Sequence, residues 1–547
     1  MMLTIRFAAS IVLMASFAPV AVAGDRFPLY WIGPIGQGFR GPAGDVDGNG
    51  MADVLFVAGV SPTSTSPQQL FVRSGANGSL LHAWTPSLPN YVSFSPAVIQ
   101  SAAGDLNLDG FDDIALSIHP VNGIGLPLVV EVRSGQDGSV MGIIYPPPIS
   151  NATSIGFGIS GVGDLDGDSW PELLVSGLYQ NAQCPTVYNF EGPALSFQYL
   201  PAAQCGLVVF GRLDDVDGDG FPDFYAGAPM TNVGALGNAG WIGIFSGGGG
   251  FLITSLNGTI ANDLLGGGGL VALSDVTGDG LPELAATRSA GPDLVEVFSL
   301  PTFSTVYTIP ASSMAGPNGE ILQIDALGDG DGDGQDDILV RWRMLPVSEG
   351  ITAFSGPTGS PIGQVSQNVP GSLLYPFGGL GDVNGDGLGD FAATPGVCAA
   401  CVPPIAAQSL WTPWTWPVTS FAPTVYVARN FDLGNTPTVG GTAQFEVVAP
   451  RRAGKPFQIA FSQDFVFPGI PLGPFLFPLA MDSLFWASLS LGIGGTLDAT
   501  GHGTVTLPIP NDPALHGAVV QASGVVYDSA GPLGIGCVLT QLPVPIQ

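Results

Sequence analysis

One nine-residue acidic pattern recurs seven times along the chain, and no other feature restricts the fold as strongly. Its first copy reads Asp45-Val-Asp47-Gly-Asn49-Gly50-Met51-Ala-Asp53, and the second Asp105-Leu-Asn107-Leu-Asp109-Gly110-Phe111-Asp-Asp113. The third is Asp164-Leu-Asp166-Gly-Asp168-Ser169-Trp170-Pro-Glu172 and the fourth Asp215-Val-Asp217-Gly-Asp219-Gly220-Phe221-Pro-Asp223. The fifth is Asp275-Val-Thr277-Gly-Asp279-Gly280-Leu281-Pro-Glu283 and the sixth Asp329-Gly-Asp331-Gly-Asp333-Gly334-Gln335-Asp-Asp337. The seventh closes the series with Asp382-Val-Asn384-Gly-Asp386-Gly387-Leu388-Gly-Asp390. Successive copies start 51 to 60 residues apart, the length of one four-stranded sheet with its turns, so the pattern predicts a repeat protein built of β-sheets.

We number these copies loops 1 to 7 and their residues positions 1 to 9. Positions 1, 3, 5 and 9 hold 24 of the 44 acidic residues, so most of the net charge of −31 serves one repeated task. Calcium takes six to eight oxygens, and short oxygen-bearing side chains at positions 1, 3 and 5 of a tight loop converge on one ion. Position 7 (Met51, Phe111, Trp170, Phe221, Leu281, Gln335, Leu388) is read as offering its backbone carbonyl, and the acid at position 9 as closing the shell. Position 6 is Gly in six copies because the chain turns there through positive φ; Ser169 departs from this, and Thr277 replaces a carboxylate in loop 5. An EF-hand would need Glu at position 12, where this chain has Phe56, Leu116, Val175, Ala226, Ala286, Val340 and Ala393, with strand-like flanks. The expectation is up to seven calcium ions.

The rest of the composition fits an exported β protein. Arg6, an apolar run from Phe7 to Val22 and the small residues to Ala23 predict a signal peptide over 1–23 and a secreted or cell-surface protein. No later stretch is apolar for long enough to predict a membrane span. Thirteen Lys and Arg in total argue against a nucleic-acid partner. Gly (80) and Pro (49) favour short strands and tight turns. Cys184 with Cys205, and Cys398 with Cys401, are disulfide candidates, which leaves Cys537 without an assigned partner. Zinc at Cys398 and Cys401 would need a second ligand pair nearby, and the sequence has none.

Phe157-Gly158, Phe210-Gly211 and Phe377-Gly378 precede loops, and Gly227-Ala228-Pro229 follows loop 4. With the sevenfold loop, these residues resemble the FG-GAP repeats of integrin α-chain propellers and of bacterial extracellular (VCBS-type) proteins. The resemblance implies a seven-bladed β-propeller over residues 24–425, its calcium loops lying between the first and second strands of each blade. Ser74-Gly75-Ala-Asn77-Gly78, Ser134-Gly135-Gln-Asp137-Gly138 and Ser355-Gly356-Pro-Thr-Gly359 have the chemistry of hairpin turns between the outer strands. Asn77, Asn151 and Asn257 also fit glycosylation sequons. The sequence leaves the closure of the ring open; one solution is an early strand near residues 27–32 that completes the last blade.

Beyond residue 425 the acidic loops stop, and alternating stretches such as Thr442–Val448 and Gly503–Pro510 predict a smaller β-sandwich over 426–547. The apolar run Phe465–Leu479 is read as core strands and a packed loop. Gly-x-Ser-x-Gly and His-Glu-x-x-His are both missing, and the chain has four His, so no catalytic residue is predicted. The sequence reading is therefore a non-catalytic adhesion or ligand-binding module for an extracellular protein or glycan. A cell-surface scaffold is the alternative, and a carbohydrate- or phosphoester-active enzyme is the third possibility.

Overall fold

The computed structural model describes residues 29–32, 37–58, 67–94, 102–121, 125–146, 152–179, 182–191, 194–199, 209–316, 319–344, 348–367, 372–397 and 424–547. Residues 1–23, expected from the sequence to be a signal peptide, and Asn151, Cys205, Cys398 and Cys401 lie outside these, and Cys184 is described only by the strand that contains it.

The chain is all-β with a propeller organisation. The first sheet runs Gln37–Gly44, Asp53–Ala58, Leu70–Arg73, Leu80–Trp84, each strand antiparallel to the one before it. The same up-and-down order repeats in six more sheets, whose second strands are Asp113–Pro120, Glu172–Tyr179, Asp223–Gly227, Glu283–Arg288, Asp337–Met344 and Asp390–Val397. In the second sheet the first-strand position is shared by Tyr91–Phe94 and Ala102–Gly104, both paired with Asp113–Pro120. Each acidic loop joins the first strand of its sheet to the second. The first strands touch in sequence around a circle, and Ser372–Gly381 of the last sheet returns to Gln37–Gly44 of the first.

The second strands explain how the sheets are held together. In Asp53–Ala58 successive side chains point to opposite faces, yet Val54, Leu55, Phe56 and Val57 are all buried. Leu55 and Val57 pack with Ile114, Leu116 and Ile118 of the second sheet, whereas Val54 and Phe56 pack with Leu380, Val383 and Ala392 of the seventh. Equivalent apolar layers fill every gap between adjacent sheets. A strand sandwiched on both faces must be apolar at every position, so these segments read as continuous apolar runs rather than alternating ones. The Phe-Gly pairs serve the crowded centre: a Cβ on Gly158 would sit 2.8 Å from the Phe210 ring, and one on Gly378 3.4 Å from the Phe39 ring.

In the seventh sheet the order is Leu29–Ile32, Thr424–Tyr426, Asp390–Val397, Ser372–Gly381. The strand Leu29–Ile32 therefore supplies the outer strand of the last sheet, and the first and last strands of the ring are joined by hydrogen bonds.

The C-terminal unit has two sheets around one core. Phe431–Leu433, Thr442–Val448 and His502–Pro508 form one; Gly494–Thr496, Pro456–Ser462, Val519–Tyr527, Ile535–Val538 and Leu542–Pro545 form the other. Phe431, Phe445 and Val447 of the first meet Phe457, Ile459, Val526 and Val544 of the second. Cys537 is a buried free thiol in the same core. The run from Phe465 to Leu479 is a hairpin, Phe465–Leu472 and Phe475–Leu479. Its Phe475, Phe477 and Leu479 pack with Met51 and Ala76 of the first propeller sheet. Asn77 donates its amide to Pro474 O at 2.8 Å and accepts from Ser79 N, so its turn braces this contact.

Deleting the chain through Ile32 should leave Thr424–Tyr426 as an open edge. Calorimetry is expected to show a melting midpoint several degrees lower, and light scattering to show self-association absent from the full chain.

Candidate metal centres

The seven loops share one hydrogen-bonding scheme, and it follows from their residues. The carboxylate at position 1 accepts the N–H of position 6 through Oδ2 in every copy, from Gly50, Gly110, Ser169, Gly220, Gly280, Gly334 and Gly387 at 2.7 to 3.0 Å. The side-chain oxygen at position 5 accepts the N–H of position 7, again in all seven. Such short side-chain-to-backbone bonds fold the loop upon itself and turn its oxygens toward a common centre.

Position 6 has positive φ throughout, including Ser169 at 76°, the conformation in which a side chain is strained. Position 4 also has positive φ throughout, from 58° at Leu108 to 83° at Gly332. The sequence reading assigned this demand to position 6 alone, although Gly at position 4 in six copies carried the same signal.

Position 9 is the buried end of each site. Asp53, Asp113, Asp223, Asp337 and Asp390 are 0% exposed and Glu172 and Glu283 no more than 2%. One oxygen of each accepts the N–H of position 2, as Val46 N does to Asp53 Oδ2 at 3.0 Å and Val383 N to Asp390 Oδ2 at 3.0 Å. The other oxygen takes an N–H from the hairpin of the same sheet: Gly75 to Asp53, Gly135 to Asp113, Gly247 to Asp223 and Gly356 to Asp337, at 3.0 to 3.1 Å. This bond ties the acidic repeat to the Ser-Gly repeat. The hairpin glycine lies so close over position 8 that a Cβ on Gly135 would be 2.0 Å from Asp112 O. Gly247, which the sequence reading did not single out, does the same in the fourth sheet, and in the seventh Ala428 N bonds Asp390 Oδ1 at 2.7 Å.

Neighbouring loops are also linked. The position-8 N–H donates to the position-1 carbonyl of the preceding loop: Asp112 to Asp45 (3.0 Å), Gly389 to Asp329 (2.6 Å) and, across the ring closure, Ala52 to Asp382 (2.8 Å). Asp336 N instead donates to Ser274 Oγ, while Ser274 N donates to Asp336 Oδ2. Loops 3, 4 and 5 have Pro171, Pro222 and Pro282 at position 8, which carry no N–H. A continuous belt thus joins loops 5, 6, 7, 1 and 2.

Five loops bring three carboxylate oxygens within 4.8 Å of one another: Asp45, Asp47 and Asp53; Asp164, Asp166 and Glu172; Asp215, Asp217 and Asp223; Asp275, Asp279 and Glu283; Asp329, Asp331 and Asp333. Loops 2 and 7 have Asn at position 3, and there Asn107 and Asn384 donate to Asp109 and Asp386 at 3.0 Å. In loop 5, Thr277 Oγ1 donates to Glu283 Oε1 at 2.9 Å. Burial, followed by the neighbouring carboxylates, lifts the position-9 acids far above the ordinary carboxylate range: Asp53, Glu172 and Asp337 to about 8 and Asp113 to about 7. Asp223 rises to about 6, and Asp386 and Asp390 also lie well above that range. A hard cation would remove this penalty, and the donor set is all oxygen, as calcium requires. Glu172 Oε1 tests the fit. It is buried, has no hydrogen-bond partner among the described residues, and belongs to a group of converging carboxylates, as a ligand atom facing an ion would.

No protein-family model matches the chain. Mouse integrin alpha-7 is 27% identical over a 180-residue alignment that covers 30% of this chain and 13% of that protein. Solved structures with some likeness are the RRP9 WD40 repeats (TM-score 0.42, 9% identity, 75% of this chain and 99% of that one) and Saccharomyces cerevisiae Sqt1 (0.34, 9%, 89% and 97%). The Dos1 propeller is a third (0.33, 10%, 73% and 96%). At such scores these overlaps carry no weight of their own, and the propeller organisation stands on the strand pairing described above. Among the described residues, no helix is long and apolar enough to cross a membrane.

Two predictions follow from the buried carboxylates. A carboxyl whose pKa is raised by folding binds its proton more tightly in the folded chain, so it subtracts stability once the pH passes its unfolded value. Metal-free protein should therefore lose thermal stability as pH rises from about 4 to about 8, and saturating calcium should abolish that slope. Gly135→Ala, which drives a Cβ into Asp112 O, should cost more than about 2 kcal/mol in denaturant unfolding.

Proposed function

We propose that the chain is an exported, calcium-stabilised, seven-bladed β-propeller followed by a β-sandwich, and that it is a non-catalytic module binding an extracellular protein or glycan. The observation that carries the reading is the repeated loop itself. Seven times, a buried acid at position 9 ends a loop carrying oxygen-bearing side chains at positions 1, 3 and 5; in five of these loops three carboxylate oxygens converge, and in loop 7 a cation, Arg451, lies beside the carboxylates. An array of that kind needs cations to be stable and offers no free general acid or base. A carboxylate engaged by a divalent ion is a poor proton donor at neutral pH.

The partial likeness to integrin alpha-7 supports a binding role for the ring. So does the division of labour within each sheet: inner strands and acidic loops are committed to packing and metal, which leaves the exposed connections to vary. Recognition on such a platform would use loops held rigid by the ions beneath them.

Calcium at about a hundredfold above Kd adds about 2.7 kcal/mol for each independent site. Melting of the mature protein is therefore expected to rise by more than about 10 °C between excess chelator and millimolar calcium, with magnesium much less effective. Asp279→Asn should lower bound calcium by one ion per chain. Panels of extracellular matrix proteins and glycans should yield a ligand retained in calcium and lost in chelator, with no cleavage of glycoside or phosphoester substrates. A calcium-independent hydrolase activity would overturn the non-catalytic reading.

A further inference from the structure

Loop 7 differs from the other six in being closed off from water. Position 5 is exposed in loops 2 to 6, at Asp109, Asp168, Asp219, Asp279 and Asp333, and in loop 1 Asp47 is exposed. In loop 7, Asp386 and Asp390 are 0% exposed, Asn384 2% and Asp382 8%. The C-terminal unit does the covering. A Cβ on Gly387 would lie 2.9 Å from Arg451 N, and one on Gly385 3.0 Å from Gly536 O. Arg451 Nη1 donates to Gly50 O at 3.1 Å and lies 3.4 Å from Asp382 Oδ2. Arg452 Nε donates to Gly385 O at 3.1 Å, and Arg452 is itself held by Asp528, which also binds Lys455 Nζ at 2.8 Å. From the other side, the wholly buried Asn430 hydrogen-bonds Asp386, donates to Val538 O and accepts from Thr540 N.

We infer that the C-terminal unit is a lid that locks a cation into loop 7, with Arg451 and Arg452 as its latch. This rests on the calcium reading above. Three buried carboxylates need more positive charge than one arginine whose side chain is 58% exposed can give, because an exposed ion pair is worth little. A cation in loop 7 satisfies them, but it leaves only when the lid lifts, whereas ions in the exposed loops leave without any opening. The ion and the docked unit therefore hold each other in place, and loop 7 becomes the slow site of the array.

Full-length, calcium-loaded protein mixed with a fluorescent chelator in stopped flow tests this. One equivalent per chain is expected to leave more than about tenfold more slowly than the rest. Asp386→Asn should remove the slow equivalent and Asp219→Asn one fast equivalent. Arg451→Ala with Arg452→Ala should turn the slow equivalent fast at unchanged total calcium; should that variant fail to fold, the Asp386→Asn and Asp219→Asn pair decides. Release of all ions in one phase, or a slow equivalent that survives Asp386→Asn, overturns the lid while leaving the calcium reading intact. Absence of bound calcium overturns both.

Discussion

The carboxylate at position 9 is the interaction on which the rest of the molecule depends. It begins the second strand of its sheet, accepts an N–H from the acidic loop before it and, in five sheets, another from the turn or segment that follows the third strand. Placing an acid in so buried a position is costly unless its charge is met. Two backbone N–H groups meet part of the need, and the remaining side faces the oxygens of positions 1, 3 and 5. Local structure, sheet geometry and metal chemistry are thereby joined at one residue per repeat.

The same arrangement explains why a chain with only 10% charged residues can carry a net charge of −31. The acids are concentrated in loops along one end of the sheets, and the gaps between sheets are left to Val, Leu, Ile and Phe. Apolar layers fill the gaps between sheets, and the belt of loops gathers the carboxylates into clusters that could hold a cation. Inter-loop hydrogen bonds from Ala52, Asp112 and Gly389 join neighbouring loops directly. The prolines at position 8 interrupt that belt on the side of loops 3 to 5.

Much of this was legible in the sequence, because each element repeats and each has a local cause. The loop spacing, the positive φ at position 6 and the hairpins at Gly75, Gly135 and Gly356 could be read from residue types alone, whereas the early strand was one option among several until its pairing with Thr424–Tyr426 was seen. Position 4 was legible too, and was overlooked because Leu108 breaks its glycine run. What could not be read was long-range. Nothing in Val427-Ala428 shows that this backbone replaces a hairpin glycine at Asp390, and nothing in Arg451-Arg452 shows that the pair lands on loop 7. Those contacts depend on how the C-terminal unit docks, which is set by apolar surfaces such as Met51 with Phe475 and Phe477 rather than by any motif.

The central claim is that the seven loops are cation sites closed by their position-9 acids. Crystals of the protein grown in calcium, measured at a wavelength where calcium scatters anomalously, test it most directly. The account predicts an anomalous peak in each loop, bounded by the side chains of positions 1, 3, 5 and 9, with the loop-7 peak beneath Arg451 and Arg452. Loops filled only by water, with position-9 acids protonated and hydrogen-bonded to their neighbours, would contradict it.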